Sequence, residues 1–219
     1  MLNFDPNFTE VIFLDIEGYV PPEMRQQHGA SLIFNPGINN HFVLGGVFYR
    51  TFPLQKKKGS FWQVWNWSKD EEKKTLQQIY NYFKESWKMI EEKTKEHPDL
   101  ILVGTGISRF DIPTIYVRST LHKIDSEVAL YETYFKTKIV DLTDVGIPIF
   151  RKNPNVYRLY PKTTNALKRR FRIEEPKTSG TNVWKLYDEG HFDAIKERTT
   201  NEVKDIIAIA NKIKSLKMR

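Results

Sequence analysis

The chain of 219 residues contains no cysteine. That excludes disulfides, thiolate metal sites and a cysteine nucleophile together. It also lacks any uninterrupted apolar run near the ~18 residues that a membrane span needs. The start, Met1-Leu2-Asn3-Phe4-Asp5-Pro6, has neither the basic residues nor the apolar core of a secretory leader. A soluble, cytoplasmic protein with no membrane partner is therefore expected. No repeat, low-complexity tract or linker divides the chain, so residues 1–219 are expected to form one domain with a substantial core. The five histidines (His28, His41, His97, His122, His191) lack the spacing of a zinc site and receive no role.

Apolar residues make up 40% and charged residues 28%, the balance of a globular chain rather than a disordered one. Lysine and arginine number 34 against 27 acidic residues, a formal charge of +7. Such a balance favours polyanionic partners and says nothing about fold.

The stretch that organises the chain is Val11-Ile12-Phe13-Leu14-Asp15-Ile16-Glu17-Gly18. Its β-branched and aromatic run reads as a strand buried on both faces in mid-sheet. Side chains alternate along a strand, so Asp15 and Glu17 point to one face, roughly 6 to 7 Å apart. Two carboxylates so placed repel each other and are costly to desolvate. A divalent cation with oxygen ligands such as Mg²⁺ relieves both problems, while a polar strand face meeting water is the plainer reading.

Along the chain, strands are expected at residues 31–34 and 41–50 as well, with Gly45-Gly46 marking a bulge or close backbone approach. Three strands in an antiparallel meander thus come first. Lys56-Lys57-Lys58-Gly59 reads as an exposed loop, and the run Phe61-Trp62-Gln63-Val64-Trp65-Asn66-Trp67 follows it. These rings could stack nucleobases or close a helix against the sheet as core. Ser68-Lys69-Asp70-Glu71 is a capping box opening a long helix, with Leu76, Ile79, Tyr80, Phe83, Trp87 and Ile90 as its apolar stripe. A strand is expected at 100–103, a helix from about Pro113 into the 120s with its extension through Tyr134 left open, and a strand at 138–142. Helices are expected over 164–171, near 183–187, and from Thr200, where Thr199-x-x-Glu202 reads as a capping box. The order describes an α/β domain with a mixed sheet.

Further carboxylates stand at suggestive places. In Arg109-Phe110-Asp111-Ile112-Pro113, Asp111 lies just past the fourth strand, where α/β sheets gather ligands, and is equally suited to capping the helix that Pro113 opens. Asp205 falls at the edge of a stripe formed by Val203, Ile206, Ala210 and Ile213, on the same side as Asn201. That edge suits plain solvation or delivery of a carboxylate to the sheet rim. Lys168-Arg169-Arg170-Phe171-Arg172 is the densest basic patch, read as a phosphate grip or as a solvated helix face.

Asp15-x-Glu17, Phe110-Asp111-x-Pro113 and Asp205, in this order on these elements, resemble the DEDD superfamily of 3′–5′ exonucleases, nearest to the proofreading domains of family B DNA polymerases. The resemblance spans nearly the whole chain and implies a ribonuclease-H-like fold. It implies that Asp15, Glu17, Asp111 and Asp205 hold two Mg²⁺ or Mn²⁺ ions and that Asn201 holds the attacking water. Phe110, Lys168, Arg169, Arg170 and Arg172 would contact the strand. The implied reaction shortens single-stranded DNA or RNA from its 3′ end, DNA favoured, and releases nucleoside 5′-monophosphates. Two departures stand out. The family usually carries Asn where this chain has Gly106, and Tyr four residues or His five residues before its last Asp, where this chain has Asn201 and Thr200. Neither replacement takes up a proton near neutral pH, so a weakened domain that only binds nucleic acid or protein is the alternative. The sequence leaves open whether the domain acts alone, as a dimer, or beside a polymerase or helicase.

Overall fold

The structure is a computed structural model that describes residues 9–25, 34–52, 58–93, 99–153, 156–157, 161–173 and 181–216. Strand β1 is Thr9–Tyr19, β2 Phe42–Thr51 and β3 Ser60–Trp65. Helix α1 is Glu72–Glu91, β4 Asp99–Gly104, α2 Asp111–Leu121, α3 Glu127–Phe135 and β5 Lys138–Asp141. Then follow α4 (Leu142–Val145), β6 (Arg151–Asn153), β7 (Val156–Tyr157), α5 (Thr164–Phe171), α6 (Thr181–Asp188) and α7 (Phe192–Lys214).

The main sheet has the order β3-β2-β1-β4-β5. β1 pairs antiparallel with β2, and β2 with β3, while β1-β4 and β4-β5 are parallel. Three antiparallel strands followed by parallel ones, flanked by helices, form the mixed sheet of a ribonuclease-H-like α/β fold. β6 and β7 form a separate small ribbon.

The alternation of β1 divides the interior into two layers. Ile12, Leu14 and Ile16 face one side, where they meet Ile79, Phe83 and Ile90 of α1, Ile112 and Ile115 of α2, and Leu130 and Tyr134 of α3. The expected stripe of α1 is buried along its length. Val11 and Phe13 face the other side, against Leu142 of α4, Leu167 of α5, and Val203, Ile206 and Ile209 of α7. Burying such aliphatic side chains contributes about 1.5–3 kcal/mol each before entropic costs.

Three expectations are corrected. The third strand of the meander is the aromatic run rather than 31–34, and its Trp62 and Val64 pack as core against α1, as the core reading has it, while Tyr49 meets Phe61 on the opposite face. The expected strand at 31–34 lies outside the described residues except for Phe34, which is irregular and buried. The helix expected from Pro113 ends at Leu121, and its extension to Tyr134 is a separate helix: Lys123 takes a left-handed φ of 50°, and Ser126 caps α3 by accepting from the Ala129 N–H. The last helix begins at Phe192, well before Thr200, so Thr199 and Glu202 lie inside it and form no cap. The bulge expected at Gly45 is present, with a register shift between Glu17 and Gly18 opposite it.

Among the described residues, no helix is long and apolar enough to cross a membrane.

Candidate metal centre

Parallel pairing of β1 with β4 ends at Phe13↔Val103, so Asp15 and Glu17 lie beyond it, at the carboxyl end of the parallel strands. They continue the face of Val11 and Phe13, which places them under α7. Both are nearly buried. Glu202 comes down from α7 beside Val203 and Ile206, and carboxylate oxygens of Asp15, Glu17 and Glu202 all lie within 4.8 Å of one another.

Asp111 joins this region by a different route. The Ile16 N–H, between the two acidic residues of β1 and past the last β4 pair, donates to Asp111 Oδ1 at 2.9 Å. The residue capping α2 is Phe110, with no side-chain cap, so the carboxylate of Asp111 serves the strand rather than its own helix. Pro113 sits in the first turn of α2, where a missing N–H costs nothing.

A cation already lies among these acids. Arg198 Nη1 is 2.5 Å from Glu17 Oε1, and Nη2 is 2.7 Å from Glu202 Oε1. Burial alone would lower the pKa of Arg198, but the charges of Glu17, Glu202 and Asp15 outweigh it and hold the guanidinium more firmly protonated. Thr199 Oγ1 lies 3.0 Å from Glu17 Oε1 and 2.9 Å from the Ile195 carbonyl.

The surrounding loops are fixed by polar contacts. Asp141, at the end of β5, accepts from Gly106 N, Ser108 N and Oγ, and Thr143 N and Oγ1 at 2.7–3.2 Å. These bonds pin the loop that carries Asp111. Gly106 takes a φ of +82°, in the left-handed region that glycine, and among other residues asparagine, enters most readily. The far end of β1 is held by Trp184 Nε1, which donates to the Gly18 carbonyl at 2.8 Å, and by the Tyr19 hydroxyl, which donates to Asp188 at 2.7 Å.

Asp15, Glu17 and Asp111 stand where the sequence places them. Asp205 does not join them: its carboxylate is bound to Lys168 of α5. The reason is helical pitch, since at about 100° per residue Glu202 falls within the arc of Ile195, Thr199, Ile206 and Ile209, and Asp205 just outside it. Asn201 is exposed and accepts from Lys204 Nζ at 3.1 Å, away from the acids. Lys168 is buried and committed to Asp205, so it leaves the basic patch, whereas Arg169, Arg170 and Arg172 remain exposed on α5 and its C-cap. Phe110 is half-buried, edge-on to Phe34 at 5.4 Å. Sequence reasoning missed Arg198 and the site roles of Thr199 and Glu202. Compared with protein-family models and with curated proteins, the sequence matches none of them.

Proposed function

We propose that this chain is a metal-dependent 3′–5′ exonuclease acting on single-stranded nucleic acid, DNA favoured over RNA, with Asp15, Glu17, Asp111 and Glu202 as its acidic set. The observation that carries the reading is the meeting of three nearly buried carboxylates from β1 and α7 within 4.8 Å, with Asp111 bound to the strand between two of them. Hard oxygen donors in this number suit Mg²⁺ or Mn²⁺, so the donor set fits the ions that the resemblance implies. When bound, such ions supply charge stabilisation and Lewis-acid activation at a scissile phosphodiester.

The chain's own residues do the rest. Asp15 and Glu17 fix the position of the cation site on a mid-sheet strand, and Glu202 closes it from a helix anchored by Val203, Ile206 and Ile209. Thr199 orients Glu17 by hydrogen bonding. Arg169, Arg170 and Arg172 offer exposed cations for phosphates.

A specific observation favours the second reading, a catalytically weakened module that binds nucleic acid or protein. With Glu202 as the fourth acid, the position four residues before it is Arg198, and five before it Glu197. Neither replaces the Tyr or His expected there, and Arg198 already neutralises part of the cluster. The deciding experiment follows a 5′-labelled single strand, DNA and RNA separately, with Mn²⁺, Mg²⁺ or EDTA. A ladder shortening from the 3′ end, lost in EDTA and in Asp15→Asn, supports the exonuclease. Salt-sensitive binding without cleavage transfers the assignment to the binding module.

A further inference from the structure

We infer that the α7-facing side of edge strand β3 is a track for an unpaired nucleic-acid strand, with the rings of Phe61 and Trp65 as its base-stacking positions. The register carries this. Phe13↔Tyr49↔Phe61, Asp15↔Val47↔Gln63 and Glu17↔Gly45↔Trp65 are three consecutive rows across β1, β2 and β3. Residues in one row share a face, so Phe61, Gln63 and Trp65 lie on the same side of the sheet as Asp15 and Glu17. Two interstrand spacings, about 10 Å, separate Trp65 from Glu17. The position between them is Gly45, which puts no side chain in the way.

This face of β3 is open where the acids are covered. Phe61 is 46% exposed, Gln63 is exposed and Trp65 half-buried. Gln63 Oε1 accepts from Trp65 Nε1 at 3.0 Å, which holds the indole in place. Trp65 begins a ladder of nearly parallel rings, with Trp67 at 5.6 Å and 6°, then Phe192 of α7 at 4.3 Å and 13° from Trp67. The ladder is rigid, and rigid rings accept a base at little ordering cost. Phe61 and Trp65 are about 13 Å apart along the strand, far enough to take two different bases. Basic residues stand at both ends: exposed Lys58 before β3, and Lys196, 5.7 Å from the Trp67 ring centre and also 3.0 Å from Asp193. Aromatic rings between cations suit a polyanion with flat bases better than a peptide strand.

The track rests on the exonuclease reading for its direction toward the carboxylates, and its test is separate from cleavage. Anisotropy of a short 5′-fluorescein oligo(dT) strand is measured in EDTA with wild type, Phe61→Ala, Gln63→Glu, Trp65→Ala and, as a control on the exposed surface of α3, Val128→Ala. The expected result is roughly tenfold weaker binding for each of the three β3 variants, through a lost stacking contact in Phe61→Ala and Trp65→Ala and through repulsion of phosphate in Gln63→Glu, with Val128→Ala binding as wild type. Phe61→Ala alters an exposed side chain, so its result does not depend on folding. Wild-type binding in Phe61→Ala and Gln63→Glu, as a peptide-pairing edge would give, overturns the track. No binding by the wild type overturns it as well. Cleavage with Mn²⁺ is read in parallel: weakened β3 variants beside an uncleaving wild type would keep the track and end the exonuclease reading.

Discussion

Arg198 and Glu202 stand four residues apart on α7 and are joined from Nη2 to Oε1 at 2.7 Å, while the same guanidinium reaches Glu17 at 2.5 Å. A cation so held competes with a divalent ion for the same oxygens. Arg198→Gln is therefore expected to bind Mn²⁺ about tenfold more tightly, equivalent to about 1.4 kcal/mol, by isothermal titration. Without metal, the variant should melt earlier than wild type, because three close carboxylates lose their counter-charge. Equal Mn²⁺ affinity in the two proteins would remove Arg198 as a competitor.

The choice between Glu202 and Asp205 is tested by exchanging each for its amide. Glu202→Gln is expected to weaken Mn²⁺ binding and to cut any cleavage by about a hundredfold or more, as loss of a charge-stabilising group does. Asp205→Asn should leave Mn²⁺ affinity near wild type. Its effect should fall on stability instead, at about 1–3 kcal/mol, because Lys168 is left buried without its carboxylate. The reverse pattern would restore Asp205 to the metal centre.

Where periodicity and packing agree, the sequence is readable. The stripe of α1 and the shared face of Asp15 and Glu17 follow from the 3.6- and 2-residue periods alone, and both stand in the structure. The end of the chain misleads for a physical reason. Thr199-x-x-Glu202 has the spacing of a capping box, yet three residues apart also means one face of a continuing helix. The discriminating signal is upstream: Phe192, Ile195 and Thr199 extend the apolar spacing of Val203 and Ile206, so the helix starts before Thr199. Even the stripe of Val203, Ile206, Ala210 and Ile213 centres about 60° from Glu202 and about 120° from Asp205, so Asp205 is favoured by the family resemblance alone. The guanidinium of Arg198 was beyond reach, because nothing local distinguishes it from a solvated arginine. Only the docking of α7 on β1 brings it to Glu17.

On the opposite face of the sheet, Glu72 and Arg118 form a buried pair, with Glu72 Oε1 accepting from Arg118 Nε at 2.9 Å and from the Val43 N–H at 2.7 Å. His122 Nε2 lies 2.7 Å from Glu72 Oε2, and Arg118 Nη1 donates to the carbonyls of Pro36 and Ile38. The Arg118–Glu72 pair thus ties α1, α2, β2 and the segment before β2 together. Arg118→Met strands the Glu72 charge in the interior and should cost about 3–5 kcal/mol, read as a lower urea midpoint at unchanged slope. Adding Glu72→Gln to Arg118→Met should recover part of that loss, since the uncompensated charge is then gone. A loss under about 1 kcal/mol for Arg118→Met would mean that water reaches the pair.

Acid should release the loop that carries Asp111. Burial alone would push the Asp141 carboxyl up, but the bonds from Thr143, Gly106 and Ser108 together outweigh burial and hold it below the ordinary carboxylate range. Its folded pKa is thus lower than the unfolded value of about 3.9, so the unfolded chain binds more protons as acid is added. The stability it contributes is complete above that value and is lost as pH falls through the folded pKa, starting from about pH 5. Asp141→Asn leaves several donors short of an acceptor and should be less stable at neutral pH by about 1–3 kcal/mol. Urea unfolding from pH 7 downward should show the gap between wild type and variant narrowing with acid. A gap constant across that range would mean that Asp141 holds the loop by shape, with its charge contributing nothing.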